Sequence, residues 1–129
     1  MLVLVACSAE QNNQLRVWDN YQSLAVEIDS QSGSASLKHL TYNATKLTDL
    51  SLQLLPNFVK KQSICLGYIQ DAMAAKVEIL TLPLSDVEEY YHADGKLPVM
   101  QDGVCYHAKD LLVQPATAVV ISKTLVEIP

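Results

Sequence analysis

The chain has 129 residues, half of them hydrophobic, which is the size and composition of a single domain with its own core. Its net charge of -5 argues against nucleic acid as a partner. The sequence holds no run of about 18 apolar residues, so we predict no membrane-spanning helix.

The first seven residues run from a short apolar stretch into a cysteine. Leu4-Val5-Ala6-Cys7 resembles the lipobox of bacterial lipoproteins. The resemblance implies that residues 1–7 end an export signal, that Cys7 carries a lipid, and that residues 8–16 form a polar tether on the periplasmic side of the outer membrane. No Lys or Arg precedes Cys7, and the apolar part is shorter than the usual 7–15 residues. A start further upstream would explain both features. The alternative is a cytoplasmic protein with an N-terminal strand over residues 2–6 and a buried Cys7.

Two helices are predicted in the first half of the remaining domain. Apolar residues recur at helical spacing over 17–28, and the small, polar stretch 29–36 is typical of a loop. Steps of three and four between apolar residues predict a second helix over 37–54. We expect Ser36 to cap this helix and Pro56 to end it, because the residue before a proline avoids helical geometry.

The second half continues with helical patterns and one long connection. Asn57 is predicted to cap a third helix over 58–80, and a capping-box pattern precedes a short helix over 86–93. Residues 94–105 contain two Gly and one Pro with little periodicity, which predicts a loop. A last helix is expected with Pro115 in its first turn, although the β-branched residues after it favour a strand.

These elements predict an all-α fold for the single domain 17–129, arranged as a small antiparallel helical bundle. The stretch 77–82 also alternates like a strand, and the β-branched residues lie within 117–126. The alternative is therefore an α+β fold with short strands near these two segments.

Two cysteines remain if Cys7 is the lipid anchor. An exported protein folds where disulfides persist, and the even pair Cys65 and Cys105 suits one bridge. The alternative, in a cytoplasmic protein, is two reduced and buried cysteines that act as small hydrophobic residues.

A metal site is a minor alternative to the expectation of no cofactor. Glu88 and His92 lie four residues apart and share a helix face, and His107 supplies a third ligand. The competing interpretation is a solvated helix end, where His92 interacts favourably with the helix dipole. The sequence has none of the phosphate-binding or nucleophile motifs of common enzyme classes, so we do not expect catalysis.

A cluster of tyrosines is the candidate interaction surface. Tyr90, Tyr91 and Tyr106 flank one loop, and tyrosine is favoured at protein contacts. The alternative is that these rings pack inward against Leu97 and Leu111. Together with the location that the lipobox resemblance implies, the patterns predict a non-catalytic accessory or binding protein of the cell envelope, anchored by lipid and in contact with an envelope protein. The alternative function is a periplasmic protein that binds a small ligand or a metal through residues 88–107.

Overall fold

Helices form every regular element of the structure, a computed structural model that describes residues 2–31 and 36–127, with the side chains of residues 13–30 and 36–125. In chain order the elements are α1 (Leu2–Gln31), α2 (Leu37–Lys61), a 3₁₀ turn (Ser63–Cys65), α3 (Leu66–Ala74), α4 (Lys76–Ile79), α5 (Leu84–Val87), a π-helical turn (Glu88–His92) and α6 (Gly103–Glu127). The predicted all-α fold is confirmed. The alternative strands are wrong, because 77–82 is helix and turn, and 117–126 lies within α6. No helix within the described ranges is long and apolar enough to cross a membrane.

The last helix, α6, is the centre of the bundle. Its buried residues cover more than half of its circumference, as expected of a helix packed by neighbours on several sides. It runs antiparallel to α2, because Thr41 Oγ1 lies 2.6 Å from Ser122 Oγ at one end of the pair. At the other end, Cys65 follows α2 and is joined to Cys105 near the start of α6.

The second helix begins where the sequence predicted and ends later. The Ser36 side chain accepts a hydrogen bond from the His39 backbone N–H at 3.1 Å, which confirms the predicted cap. The prediction that Pro56 ends this helix is wrong, since α2 continues through it to Lys61. Leu55 and Val59 on either side of the proline are buried in the core. Burying each contributes about 1.5–3 kcal/mol, which offsets the cost of about 3 kcal/mol for a proline inside a helix.

The chain between α2 and α6 is more broken than its apolar pattern predicted. The single helix expected over 58–80 is divided among the end of α2, the 3₁₀ turn, α3 and α4. Ile69, Ala72 and Ile79 are all fully buried, so each short helix turns its own apolar residues toward the core. The predicted helix over 86–93 forms as α5 and the π-helical turn, and α6 begins at Gly103.

The first helix begins at Leu2 rather than at Val17. Residues 2–6 are therefore helical, and the alternative of an N-terminal strand is wrong. The segment 8–16 is also helical, while its use as a tether stays a prediction. Helix α1 packs on the bundle through a small cluster of its own, in which Tyr21 and Leu24 contact Leu47 of α2.

A long-range hydrogen bond joins α1 to the centre of α6. The sequence predicted Pro115 in the first turn of the last helix, but the residue lies inside α6. A proline has no N–H, so the carbonyl four residues earlier, that of Leu111, loses its helical partner. The Tyr21 hydroxyl donates to this same carbonyl at 2.7 Å. Burial and the nearby charge of Asp110 raise the pKa of Tyr21 to about 12, so the phenol keeps its proton at neutral pH.

Replacing Tyr21 with Phe is expected to lower the free energy of unfolding by about 1–3 kcal/mol, because the Leu111 carbonyl is left unpaired. In a Pro115→Ala background the new N–H of residue 115 pairs with that carbonyl, so the same change should cost less than about 1 kcal/mol. Urea unfolding of the wild type, Tyr21→Phe, Pro115→Ala and the double variant forms a double-mutant cycle, which gives the coupling energy between the two residues. Equal losses in both backgrounds would contradict the assignment.

Candidate functional site

The residues predicted to bind a metal are not gathered into one site. His92 Nε2 lies 3.9 Å from Glu88 Oε1, so this pair shares a face as predicted. His92 Nε2 also lies 2.8 Å from Thr117 Oγ1. The Thr117 hydroxyl donates its only proton to the Val113 carbonyl, so His92 Nε2 must be the donor in the other contact. This nitrogen therefore has no free lone pair for a metal.

The third predicted ligand, His107, is exposed and packs edge-on against the Tyr106 ring. In the described part of the chain, no three His, Cys, Asp or Glu residues are placed to hold a metal ion. The residues present thus do not fit the divalent-metal alternative at Glu88, His92 and His107.

The structure joins Cys65 and Cys105 in a disulfide, the pairing predicted for these two cysteines, with their Cα atoms 5.2 Å apart. Both residues are fully buried within the main apolar core. The bridge fixes the start of α6 to the 3₁₀ turn that follows α2. It therefore closes the same end of the bundle at which residues 88–107 pack.

The three tyrosines of the predicted interaction surface differ in exposure. Tyr91 is only 2% exposed, so it offers no surface to a partner, and the expectation for this residue is wrong. It packs in the same core cluster as Leu97, as the inward-packing alternative required. Tyr90 and Tyr106 are half-buried, and a role for them in partner contact stays a prediction.

Tyr91 is held by a carboxylate on the neighbouring helix. Its hydroxyl donates to Glu78 Oε2, and the other oxygen of Glu78 lies 2.9 Å from Lys96 Nζ. Burial, with this hydrogen bond, raises the pKa of Tyr91 to about 12. The hydrogen bonds from Tyr91 and Lys96 lower the pKa of Glu78, so this carboxyl is ionised at neutral pH. The contact fastens α4 to the π-helical turn.

The polar side chains around the π-helical turn and the start of α6 are centred on a lysine that no sequence pattern indicated. Lys109 of α6 has an exposure of 0%. Its Nζ donates to the Tyr91 carbonyl at 2.7 Å, to the His92 carbonyl at 3.2 Å and to Asp94 Oδ1 at 2.7 Å. The Tyr106 ring lies 4.0 Å below the same nitrogen, close enough for a cation–π contact. All three ammonium protons therefore have acceptors, and none is free for chemistry.

The segment around Asp94 is shaped to receive this lysine. Asp94 has a left-handed backbone with φ 61°, and its carboxylate also accepts from the Tyr68 hydroxyl at 2.9 Å. The next residue is glycine because a Cβ at Gly95 would lie 2.6 Å from the Glu89 carbonyl oxygen. Burial, then the bond to Asp94, raises the pKa of Tyr68 above its ordinary value. The contacts among Lys109, Asp94 and Tyr68 end the π-helical turn and supply hydrogen-bond donors to its carbonyls. These residues therefore stabilise the fold.

An apolar cleft opens elsewhere, between the middle of α1 and the C-terminal half of α2. Its volume is about 650 Å³, within the range of about 300–1,000 Å³ typical of small-molecule sites. Leu15 and Trp18 of α1 are 61% and 37% exposed along it. The residues that line the cleft are Gln14, Leu15, Trp18, Leu54, Leu55, Asn57, Phe58, Lys60, Lys61 and Leu111.

Helix α1 packs on the bundle through Val17, Tyr21 and Leu24, each of which is 8% exposed or less. Tyr21 and Leu24 contact Leu47 of α2. One to two turns nearer the start of α1, Leu15 and Trp18 face Phe58 across open space. An exposed apolar surface of this kind, rimmed by polar residues, is typical of a binding site.

The sequence carried a partial signal for the cleft. Leu15 and Trp18 are three residues apart, a helical spacing, but Leu15 lies in the segment interpreted as a tether. The alternative function predicted from the sequence placed a ligand at residues 88–107 instead.

No protein-family model, curated protein or solved structure matches the chain.

Proposed function

We propose that this chain is a non-catalytic binding protein and that the cleft between α1 and α2 is its binding site. The observation that carries the proposal is the exposed apolar surface of Leu15 and Trp18, which faces Phe58 across a cavity of about 650 Å³. Filling the cavity with an apolar molecule removes this surface from water, and each Å² of apolar surface buried contributes about 25 cal/mol of favourable free energy.

The polar cluster around Lys109 supports the non-catalytic part of the proposal. Every proton of its buried ammonium is used within the fold, and the nearby Tyr91 is held by Glu78. A general base or a nucleophile needs a free lone pair or a displaceable proton near bound substrate. These groups instead stabilise the bundle.

The place of the protein in the cell is a separate proposal, which rests on Leu4-Val5-Ala6-Cys7 alone. We propose that Cys7 carries a lipid and that the domain is an accessory protein of the bacterial cell envelope, in contact with an envelope protein. Partition of the wild-type protein into a detergent phase, lost in Cys7→Ser, is the result expected of this anchor, and equal partition of both proteins would contradict it.

Trp18 is the single tryptophan of the chain, so its fluorescence reports on the cleft directly. Titration with 1-dodecanol, a neutral single-chain probe, is expected to shift the emission of Trp18 to the blue and to saturate. Leu15→Glu places a charge against the apolar probe and should weaken binding by about tenfold or more, equal to about 1.4 kcal/mol.

The matched control for this titration is Val26→Glu. Val26 lies on the same helix and is 68% exposed, but it does not line the cleft. This variant should bind dodecanol as the wild type does. An emission change that does not saturate, or equal weakening by both substitutions, would show that the cleft is not the site.

A further inference from the structure

The two ends of the cleft differ in polarity along α2. Lys60 and Lys61 lie at one end, and Leu54 and Leu55 lie at the other. They are separated by about six residues of helix, which corresponds to about 10 Å at 1.5 Å per residue. A ligand that follows the cleft thus meets positive charge at one end and apolar side chains along the rest.

Neither Lys60 nor Lys61 forms an ion pair within the described part of the chain. Lys60 and Lys61 are exposed, and no carboxylate there is paired with them, whereas Lys76, Lys96 and Lys109 each pair with an acidic side chain. Both lie in the last turn of α2, where a positive charge also offsets the helix dipole. This stabilising effect on the helix does not depend on a ligand, so an experiment can separate it from a role of the lysines in binding.

From this charge arrangement we infer that the ligand of the cleft is an anionic single-chain amphiphile, whose head group pairs with Lys60 and Lys61 and whose chain lies between Trp18 and Phe58. The inference rests on the proposed function, because it names the ligand class of the same cleft. In a protein with a net charge of -5, two adjacent lysines that have no carboxylate partner among the described side chains, and that lie beside an apolar cavity, form a local attraction for an anion.

The test compares dodecanoate with 1-dodecanol, both below the concentrations at which they aggregate, using Trp18 emission. The wild-type protein should bind dodecanoate about tenfold more tightly than dodecanol, and added salt should reduce the difference. Lys60→Gln/Lys61→Gln should abolish the preference, because it weakens dodecanoate binding far more than dodecanol binding. Lys38→Gln/Lys46→Gln removes two exposed lysines of the same helix outside the cleft and should change neither affinity.

Each other outcome has a distinct meaning. Equal binding of both probes would overturn the inference and leave the proposed function standing. A preference that survives Lys60→Gln/Lys61→Gln, or that is lost equally in Lys38→Gln/Lys46→Gln, would overturn the role of these two lysines. Failure of both probes to bind would overturn the proposed function itself.

Discussion

Replacing Lys109 with Met is expected to lower the free energy of unfolding by about 3–5 kcal/mol, the usual cost of removing one partner of a buried ion pair. Met fills a similar volume, so the loss comes from the unpaired groups. Among the described residues, Asp94 keeps the Tyr68 hydroxyl alone as a side-chain donor. The Tyr91 carbonyl loses the donor that Lys109 supplied, whereas the His92 carbonyl keeps the Tyr106 hydroxyl. A loss of this size is a large share of the roughly 5–15 kcal/mol that stabilises a domain.

The effect of Lys109→Met is measured by urea unfolding against Lys46→Met. Lys46 is exposed on α2, and its replacement should stay within about 0.5 kcal/mol of the wild type. The double variant Lys109→Met/Asp94→Asn removes the charge that the single variant leaves buried, and it should be more stable than Lys109→Met alone. A loss no larger than that of Lys46→Met would show that the buried lysine is not needed.

Removing the disulfide should cost about 4 kcal/mol of stability. The bridge closes a loop of 40 residues by sequence separation, and the chain-entropy model gives about 4 kcal/mol for that length. Because both cysteines are buried in an apolar core, Cys65→Ala/Cys105→Ala tests the bridge without leaving buried hydroxyls. Urea unfolding is the measurement.

Reduced wild-type protein is the control for the disulfide. Treatment with dithiothreitol should lower the unfolding midpoint of the wild type toward that of the double alanine variant and leave the variant unchanged. An unfolding midpoint of the wild type that reductant does not alter would contradict the bridge. In native cells, free labelling of both thiols would contradict export to an oxidising compartment.

Local patterns predicted the helices whose own side chains determine them. The apolar stripe of α2 and its Ser36 cap depend on residues a few positions apart, so both were visible in the sequence. The two prolines were misinterpreted because tertiary contacts, which no local pattern shows, decide their cost. Pro115 is tolerated inside α6 since Tyr21, more than ninety residues earlier, supplies the hydrogen bond that the proline removes.

The candidate sites were predicted less well than the fold. Counting cysteines was enough to pair Cys65 with Cys105, because the lipobox resemblance assigned Cys7 elsewhere. Lys109 could not be predicted as buried, since a lysine in a helix is normally solvated and its acceptors lie 15 to 18 residues away. The cleft was missed because its apolar walls come from two helices whose separation no sequence pattern reports.

The most direct measurement of the cleft as a binding site is an NMR experiment on isotope-labelled protein with saturating dodecanoate. Intermolecular nuclear Overhauser effects from the chain methylenes to the rings of Trp18 and Phe58 are the result we predict. Val99 is exposed but does not line the cleft, and it should show none. Effects that fall on other exposed apolar residues, with none to Trp18 or Phe58 at saturation, would contradict a binding site between α1 and α2.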